Sequence, residues 1–223
     1  MNRIFLMLSL VSVACTFGVV NSATAGPILG PVGAVINTSG PGNGDIADTF
    51  NQNGLTIGYT SGVDDFDIYL GSGPMHTAVF GGFEWFGNSG DTTASVTYDL
   101  GGQFFIDALA LWNEESSGIG NLNLLTSLDG VNFAALVSGL VPTNHPAILQ
   151  DYAADVFGFG RTFAQYIRLD MSECPQAGGT FPSCSIGEVA FRQAPIPEPG
   201  AATLFGVGFL VVGLVERRVK KRS

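Results

Sequence analysis

Short runs of alternating apolar and polar residues fill the middle of the chain and constrain its fold more than any other feature. Ser95–Leu100 places three apolar side chains on one face, and Gln165–Met171 alternates in the same way. A period of two residues is typical of a half-buried β-strand. Glycine accounts for 31 of the 223 residues, about double the usual ~7%, which favours turns over long helices. We therefore expect an all-β fold, an antiparallel β-sandwich.

Other stretches add strands to this prediction. Phe104–Trp112 is apolar on both faces apart from one aspartate, which indicates a strand covered on both sides. Leu122–Leu128 and Val131–Val137 flank Asp129-Gly130, a strong signal for a two-residue hairpin turn. The remaining predictions of this kind are a turn at Gly101-Gly102 and core positions for Phe105, Phe133, Phe163 and Phe191.

Residues 1–25 have the pattern of a signal peptide. A positive residue precedes the apolar stretch Ile4–Val20, and Ala23-Thr24-Ala25 forms a cleavage site of small residues. A lipoprotein acylated at Cys15 is the alternative. Either pattern predicts export, and residues 26–195 are then the β-sandwich domain.

The tail, residues 196–223, combines a proline motif, an apolar segment and a basic terminus. Pro197-Glu198-Pro199 is expected to stay extended, because proline lacks a backbone N–H and stiffens the chain. Gly200–Val215 is a run of 16 uncharged residues, about 24 Å long as a helix, which predicts a single C-terminal transmembrane helix. Five cations follow Glu216 and place that end in the cytoplasm.

This three-part tail resembles the PEP-CTERM sorting signal of Gram-negative bacteria. The resemblance implies that exosortase, a membrane peptidase, processes the chain near Pro197, Glu198 and Pro199 after a transient insertion in the inner membrane. The product would then reach the cell surface or the extracellular matrix. A permanent C-terminal anchor is the alternative. As a family, proteins with this tail are associated with exopolysaccharide production and biofilm formation.

The charge of the exported part narrows its range of partners. Residues 26–199 carry 18 acidic and three basic side chains, a net charge of −15, and contain no lysine. A surface of this kind repels nucleic acid and attracts cations. Nucleic-acid binding is therefore excluded.

Two cysteines remain once the leader is removed, Cys174 and Cys184. An even number of cysteines in an oxidising compartment predicts a disulfide between them. A metal site is the alternative, which the lack of a paired histidine or further cysteine disfavours.

Short motifs along Ala94–Gln193 also resemble, in their order, those of the discoidin or coagulation-factor C-type domain. The motifs are an Asp-Leu-Gly strand, a hairpin with Ser-x-Asp-Gly and an aromatic residue, a Tyr-hydrophobic-Arg strand and a glutamate in the closing strand: Asp99-Leu100-Gly101, Ser127–Phe133, Tyr166-Ile167-Arg168 and Glu188. The resemblance implies a galactose-binding-like jelly roll whose ligand-binding loops lie at one end. The N-terminal third matches the family pattern only loosely.

Within this resemblance, aromatic side chains would stack on sugar rings and polar groups would bind hydroxyls. The candidate ligand-binding residues are Trp85, Trp112, Asn113 and Glu114. For the two tryptophans the alternative is core packing, since a sandwich of this size needs large apolar side chains.

A structural Ca²⁺ is the cofactor that the sequence leaves open. In the resembled family the ion often joins an N-terminal loop to the glutamate of the final strand, which is Glu188 here. Asp64, Asp65 and Asp67 concentrate three carboxylates in an N-terminal turn, and Ca²⁺ prefers such hard oxygen ligands. The alternative is a solvated acidic turn with no cofactor.

No arrangement of residues predicts catalysis. His76 and His145 are the only histidines and lack a metal-binding partner pattern, and the loop around Ser89 has no suitably placed base. The pair Glu114-Glu115 is expected to be solvated. We therefore predict a non-enzymatic, exported surface or matrix protein that binds extracellular polysaccharide. The alternative is a purely structural acidic matrix or adhesion protein with no defined ligand.

Overall fold

The computed structural model describes residues 26–79, 81–145 and 149–195. The signal peptide predicted for residues 1–25 and the tail predicted for 196–223 lie outside these ranges. No helix within them has the length and apolar composition needed to cross a bilayer. The elements are β1 Ile28–Leu29, β2 Gly33–Thr38, a 3-10 helix Ile46–Thr49, α1 Phe66–Gly71, β3 Met75–His76, β4 Trp85–Phe86, β5 Ala94–Trp112, β6 Asn121–Ser127, β7 Ala134–Leu140, β8 Tyr152–Ala153, β9 Asp155–Ser172, β10 Ser185–Ile186 and β11 Glu188–Gln193.

Seven strands form one sheet that is built around the two long strands β5 and β9. The first half of β5 pairs with β2 and with the second half of β9, which continues to β6 and β7. The second half of β5 pairs with the first half of β9 and with β11, which continues to β1. Every strand pairing in the described ranges is antiparallel. The prediction of an all-β, antiparallel chain is therefore confirmed.

The turn predicted at Gly101-Gly102 is wrong, because β5 runs through these glycines as one strand. Gly101 has a φ of 75°, a backbone conformation that only glycine adopts at little cost. The ladder with β9 shifts its register here, between Asp99 and Phe104, and then resumes. The glycine pair thus bends the strand between the two halves of the sheet.

Both halves of the sheet contribute to one hydrophobic core. The first half supplies the buried Val96, Tyr98 and Leu169, and the second half supplies Leu109 and Phe191. The apolar positions of the predicted alternation face this core, as expected. Burying a large apolar side chain contributes about 1.5–3 kcal/mol, so this shared core is what holds the two halves together.

A second apolar cluster covers the outer face of the second half. Ala108, Ala110 and Trp112 of β5 lie on this face, while Leu109 and Leu111 lie in the main core. The covering layer comes from the N-terminal segment and β8, through Ile28, Tyr59, Phe66, Tyr69 and Tyr152. The prediction that Phe104–Trp112 is covered on both sides is confirmed for Ala108–Trp112, whereas Phe105 at the start of the segment is exposed.

Two local predictions need correction. The hairpin of β6 and β7 exists, but its loop spans residues 128–133 and is longer than the predicted two-residue turn.

Of the four phenylalanines assigned to the core, Phe191 is buried, whereas Phe105 and Phe163 are 40% and 44% exposed. These two form a cross-strand pair between β5 and β9, so each covers the other instead of the core.

The predicted disulfide is confirmed, since Cys174 and Cys184 are bonded to each other. Both cysteines belong to the main core cluster. The loop that they close runs back along the segment after β5, where the backbone N–H of Thr180 donates to the carbonyl of Ser116. This pairing holds residues 114–118 in place.

Candidate functional site

The two tryptophans proposed as sugar-stacking residues are fully buried. Trp85 and Trp112 have no exposed surface, and their indole N–H groups donate to the carbonyls of Pro41 at 2.9 Å and Pro74 at 3.2 Å. No ring face is left for a sugar. Both residues take the core role that the sequence left as the alternative, and the stacking prediction is corrected.

Asn113 and Glu114 are also buried, and their polar atoms are used inside the protein. The Asn113 amide donates to Thr143 O and to Gln176 Oε1, both at 3.0 Å, and its oxygen accepts from the Ile119 N–H at 2.8 Å. These bonds fix the connection between β5 and β6. Asn113 thereby orders the segment that carries Glu114.

The residues predicted to bind calcium have separate partners. Asp65 caps α1 by accepting the Ile68 N–H at 2.9 Å, and Asp67 pairs with Arg192 at 3.1 Å. Asp64 accepts the Thr60 N–H. Two of these carboxylates, those of Asp64 and Asp65, stabilise the turn and the helix in which they lie. Calcium binding there stays a prediction.

Glu188 lies in the first position of β11 and is fully buried. Its Oε2 accepts the backbone N–H of Gln52 at 3.0 Å, and its Oε1 has no hydrogen-bond partner. Burial raises the pKa of Glu188 well above its usual range, and the carboxylate of Asp48 adds to the effect. The hydrogen-bond partner of Glu188 is therefore the Gln52 backbone, with the charge of Asp48 nearby.

A buried acidic cluster, formed by Glu84, Glu114 and Glu115, lies beyond the end of β5. The three side chains offer carboxylate oxygens that all lie within 4.8 Å of one another. Their exposed fractions are 3%, 2% and 5%. The expectation that Glu114 and Glu115 form a solvated pair is wrong, because the disulfide-closed loop and the segment before β4 cover them.

Glu84 is held by a tyrosine and a histidine. The Tyr152 hydroxyl donates to Glu84 Oε1. The Nδ1 of His76 lies 2.9 Å from the Thr77 carbonyl and 3.0 Å from the Tyr152 oxygen, so it carries a proton and donates to both. Burial is the main cause that raises the pKa of Glu84. The pKa of Tyr152 is also raised, mainly by burial and then by the neighbouring Glu84 carboxylate.

Glu114 and Glu115 differ in their surroundings. Glu114 Oε1 accepts from the N–H and the hydroxyl of Ser116, at 2.9 Å and 2.6 Å, and Oε2 accepts from the Ser117 N–H. Glu115 Oε2 is buried and has no hydrogen-bond partner. Burial and the neighbouring Glu114 raise the pKa of Glu115 to about 8. All three glutamates line a small cleft of about 140 Å³.

An open groove of about 460 Å³ lies on the outer face of the first half of the sheet. We call it the outer-face groove. β2 forms one side, and the loop between β6 and β7 forms the other. Its floor consists of Thr97 and Asp99 from β5 and Tyr166 from β9, which face away from the core because Val96 and Tyr98 face into it. The side chains that carry its chemistry are Asn37, Thr97, Asp99, Phe133 and Tyr166.

The aromatic and polar groups of this groove are fixed in position. The loop passes directly over Tyr166, where a Cβ at Gly130 would lie 3.4 Å from the ring. The guanidinium of Arg168 stacks on Phe133, 4.8 Å from the ring centroid. Asp99 accepts from the Gly101 N–H and from the Gln165 amide, at 2.8 Å and 3.1 Å. The half-buried phenol of Tyr166 therefore lies beside the Asp99 carboxylate and accepts a hydrogen bond from the Gln165 amide at 3.2 Å.

Asp129 shapes the loop that borders the groove. Its carboxylate accepts from the backbone N–H groups of Val131 and Asn132, from the Asn132 amide and from the Ser127 hydroxyl. These hydrogen bonds hold the pKa of Asp129 well below its usual range, the Asn132 backbone N–H most strongly. Asp129 thus stays ionised and fixes the groove wall.

The sequence carried a signal for the groove but not for the acidic cluster. The alternation of Gln165–Met171 places Tyr166 and Arg168 on the polar face, where they lie. Glu84 comes from a segment about thirty residues before Glu114, and nothing local marks the two as neighbours. Only the fold brings them together.

No family model matches this chain, and no curated protein is similar to it. Among solved structures, the carbohydrate-binding module of AlyQ, in complex with 4,5-unsaturated mannuronic acid, is 18% identical with a TM-score of 0.44, covering 74% of this chain and 96% of that one. A module from Clostridium perfringens bound to GalNAc-β-1,3-galactose is 21% identical, with a TM-score of 0.39 and coverages of 52% and 81%. Chitosan-binding module 2 of a Paenibacillus sp. IK-5 chitosanase/glucanase, with chitotriose, is 18% identical, with a TM-score of 0.40 and coverages of 52% and 79%.

Proposed function

We propose that this chain is an exported, non-enzymatic protein that binds extracellular polysaccharide through the outer-face groove. The observation that carries the proposal is the half-buried Tyr166, which lines an open groove of about 460 Å³ together with Asp99 and Asn37. Proteins bind small polar ligands with an aromatic surface and a few placed polar groups. A jelly roll of the galactose-binding-like class is the architecture that the sequence motifs favour for it.

The groove suits a long, flexible ligand better than a small buried one. It lies on the face of a sheet rather than in an enclosed pocket, so a polymer can enter and leave at its ends. Asn37 and Val35 on β2 are exposed along one wall. Successive sugars of one chain could therefore contact β2, Tyr166 and the loop that follows β6.

The charge of the protein selects among polysaccharides. Residues 26–199 carry a net charge of −15, and Asp99 and Asp129 add local negative charge at the groove. Anionic polymers are repelled by such a surface. Neutral or amine-bearing polysaccharides are the class of ligand that this groove fits.

Two features support export. The Cys174–Cys184 disulfide suits an oxidising compartment, and the leader and the Pro197-Glu198-Pro199 tail predict passage through the inner membrane with processing by exosortase. The product would act at the cell surface or in the extracellular matrix. A structural matrix protein with no ligand remains the second candidate function, supported by the acidic surface alone.

The test is a retention assay of the full chain on a panel of insoluble and gel-embedded polysaccharides, neutral, amine-bearing and anionic. We expect retention on a neutral or amine-bearing polymer. The variant Tyr166→Ala should bind about tenfold more weakly or worse, because removing a central aromatic contact costs more than about 1 kcal/mol.

The matched control is Phe163→Ala, which removes an exposed aromatic from the same strand outside the groove. We expect it to bind as the unchanged protein does. Absence of retention on every polymer would leave the structural role as the function. Loss of binding in Phe163→Ala but not in Tyr166→Ala would place the site at the Phe105–Phe163 pair.

A further inference from the structure

The three carboxyl groups of the buried acidic cluster must either hold protons or bind a cation. A buried charge needs an opposite charge or a metal, because removing it from water is costly. Each arginine of the described residues lies elsewhere: Arg161 stacks on Phe105, Arg168 pairs with Asp170, and Arg192 pairs with Asp107 and Asp67. Among the described residues, two histidines lie nearby: His76 Nδ1 is 3.6 Å from Glu84, and the ring of His145 packs on Tyr152 with 5.6 Å between the centroids.

The second observation is the unpartnered oxygen of Glu115. This side chain is only 5% exposed, lines the cleft of about 140 Å³, and keeps a buried Oε2 without a hydrogen bond from any described residue. A buried acceptor of this kind normally has a partner. Ser116 and Thr180 also line the cleft, so it is polar and large enough for an ion with water ligands.

The other two glutamates are already oriented for the same centre. Tyr152 and His76 hold Glu84, and the backbone and hydroxyl groups of Ser116 and Ser117 hold Glu114. Outer hydrogen bonds that fix the direction of a carboxylate are a general property of metal sites. These hydrogen bonds orient the carboxylates of Glu84 and Glu114, whereas Glu115 Oε2 has no hydrogen-bond partner.

We propose that Glu84, Glu114 and Glu115 form a calcium site in the cleft beyond the end of β5. Ca²⁺ takes six to eight hard oxygen ligands in flexible geometry, whereas Mg²⁺ keeps several waters and seldom occupies an all-carboxylate cage. The site differs in every residue from the one predicted at Asp64, Asp65, Asp67 and Glu188. Its role is to lock the loop after β5 to β4 and to the disulfide-closed loop.

The experiment uses the full chain, stripped with EDTA and titrated with CaCl₂ by calorimetry, with thermal unfolding measured in parallel. Glu115→Gln removes one charge while keeping the size of the side chain. Asp91→Asn is the matched control, because it makes the same change at an exposed turn. Glu188→Gln tests the site predicted from the sequence.

We expect the unchanged protein and Asp91→Asn to bind Ca²⁺ equally, and Glu115→Gln to bind the same ion about tenfold more weakly or worse. The effect on stability should depend on the metal. Without metal, Glu115→Gln melts close to the unchanged protein, because glutamine keeps the size of the side chain and the buried carboxyl group is largely neutral already. With millimolar Ca²⁺ it melts below, because the unchanged protein is stabilised by its ligand.

Three results would overturn the proposal. One is an unchanged protein that binds no Ca²⁺, and another is a Glu115→Gln variant that keeps every bound ion at full affinity while Glu188→Gln loses one. The third is a Glu115→Gln variant that melts lower than the unchanged protein in EDTA as well, which would make Glu115 a structural residue. A higher affinity for Mg²⁺ than for Ca²⁺ would contradict the choice of ion.

Discussion

At the scale of single residues, the burial of Glu188 links stability to pH. Glu188 has no exposed surface and one hydrogen bond, from the Gln52 N–H at 3.0 Å. The pKa values of Tyr59 and Tyr69 are raised, mainly by burial and also by the Glu188 charge. Glu188 is therefore most stable in its neutral form.

This environment predicts a pH dependence. The pKa of Glu188 is raised in the folded state above the 4.5 that it has when unfolded, so its stabilising contribution is full below about 4.5 and is lost as the pH rises through the folded pKa. In EDTA, the free energy of unfolding of the unchanged protein should fall between pH 5 and pH 8 by about 1 kcal/mol more than that of Glu188→Gln. Urea titrations at both pH values measure this difference. Equal falls in the two proteins would show that Glu188 ionises freely.

At the scale of elements, the bend of β5 joins the two halves of the sheet. Gly101 combines a φ of 75° with a close approach to Val32, whose Cγ2 would lie 2.9 Å from an added Cβ. Gly160 in β9 has open space around it and no positive φ. Substituting alanine at each glycine therefore compares a strained, crowded position with an open one.

Gly101→Ala should lower the free energy of unfolding by about 1–2 kcal/mol, the cost of a left-handed conformation for a residue with a Cβ. Gly160→Ala should lie within about 0.5 kcal/mol of the unchanged protein. Tryptophan fluorescence during urea unfolding measures the stability of both variants, because Trp85 and Trp112 are buried in the folded protein. A Gly101→Ala variant as stable as Gly160→Ala would argue against a bend that depends on glycine.

The strands could be predicted from the sequence because alternation is a local property. The period of two was enough to predict strands at Ser95–Leu100 and Gln165–Met171. The bend at Gly101 could not be predicted, since a glycine pair is equally consistent with a turn. The acidic cluster was also out of reach, because the contact of Glu84 with Glu114 and Glu115 depends on the fold. For the same reason, the sequence could not decide whether Trp85 contacts a ligand or packs in the core, because burial depends on the whole fold.

At the scale of the whole molecule, charge separates the functional domain from its tail. Six of the nine lysines and arginines lie outside residues 26–199, and five of these follow Glu216. Removal of the tail would release an acidic domain without lysine. A large net charge of one sign disfavours self-association, which is consistent with the proposed role in a polysaccharide matrix.

The mature protein is therefore expected to lack the tail. Mass spectrometry of the protein isolated from the cell exterior should find peptides up to the region of Pro197-Glu198-Pro199 and none from Gly200–Val215. The reason is that, as a helix, a segment of 16 residues would span only about 24 Å of a core of about 30 Å, which favours temporary insertion. An intact tail on the exterior protein would refute processing.

The central claim, that polysaccharide occupies the outer-face groove, is tested most directly by amide hydrogen exchange with and without a retained polysaccharide. Bound polymer should slow exchange in β2 and in residues 128–133, which border the groove and lie at sheet edges or in a loop, where exchange is fast without ligand. The loops after β4 and β5, beside Trp85 and Trp112, should exchange as before. Slowed exchange confined to those loops, with β2 and residues 128–133 unchanged, would contradict the account.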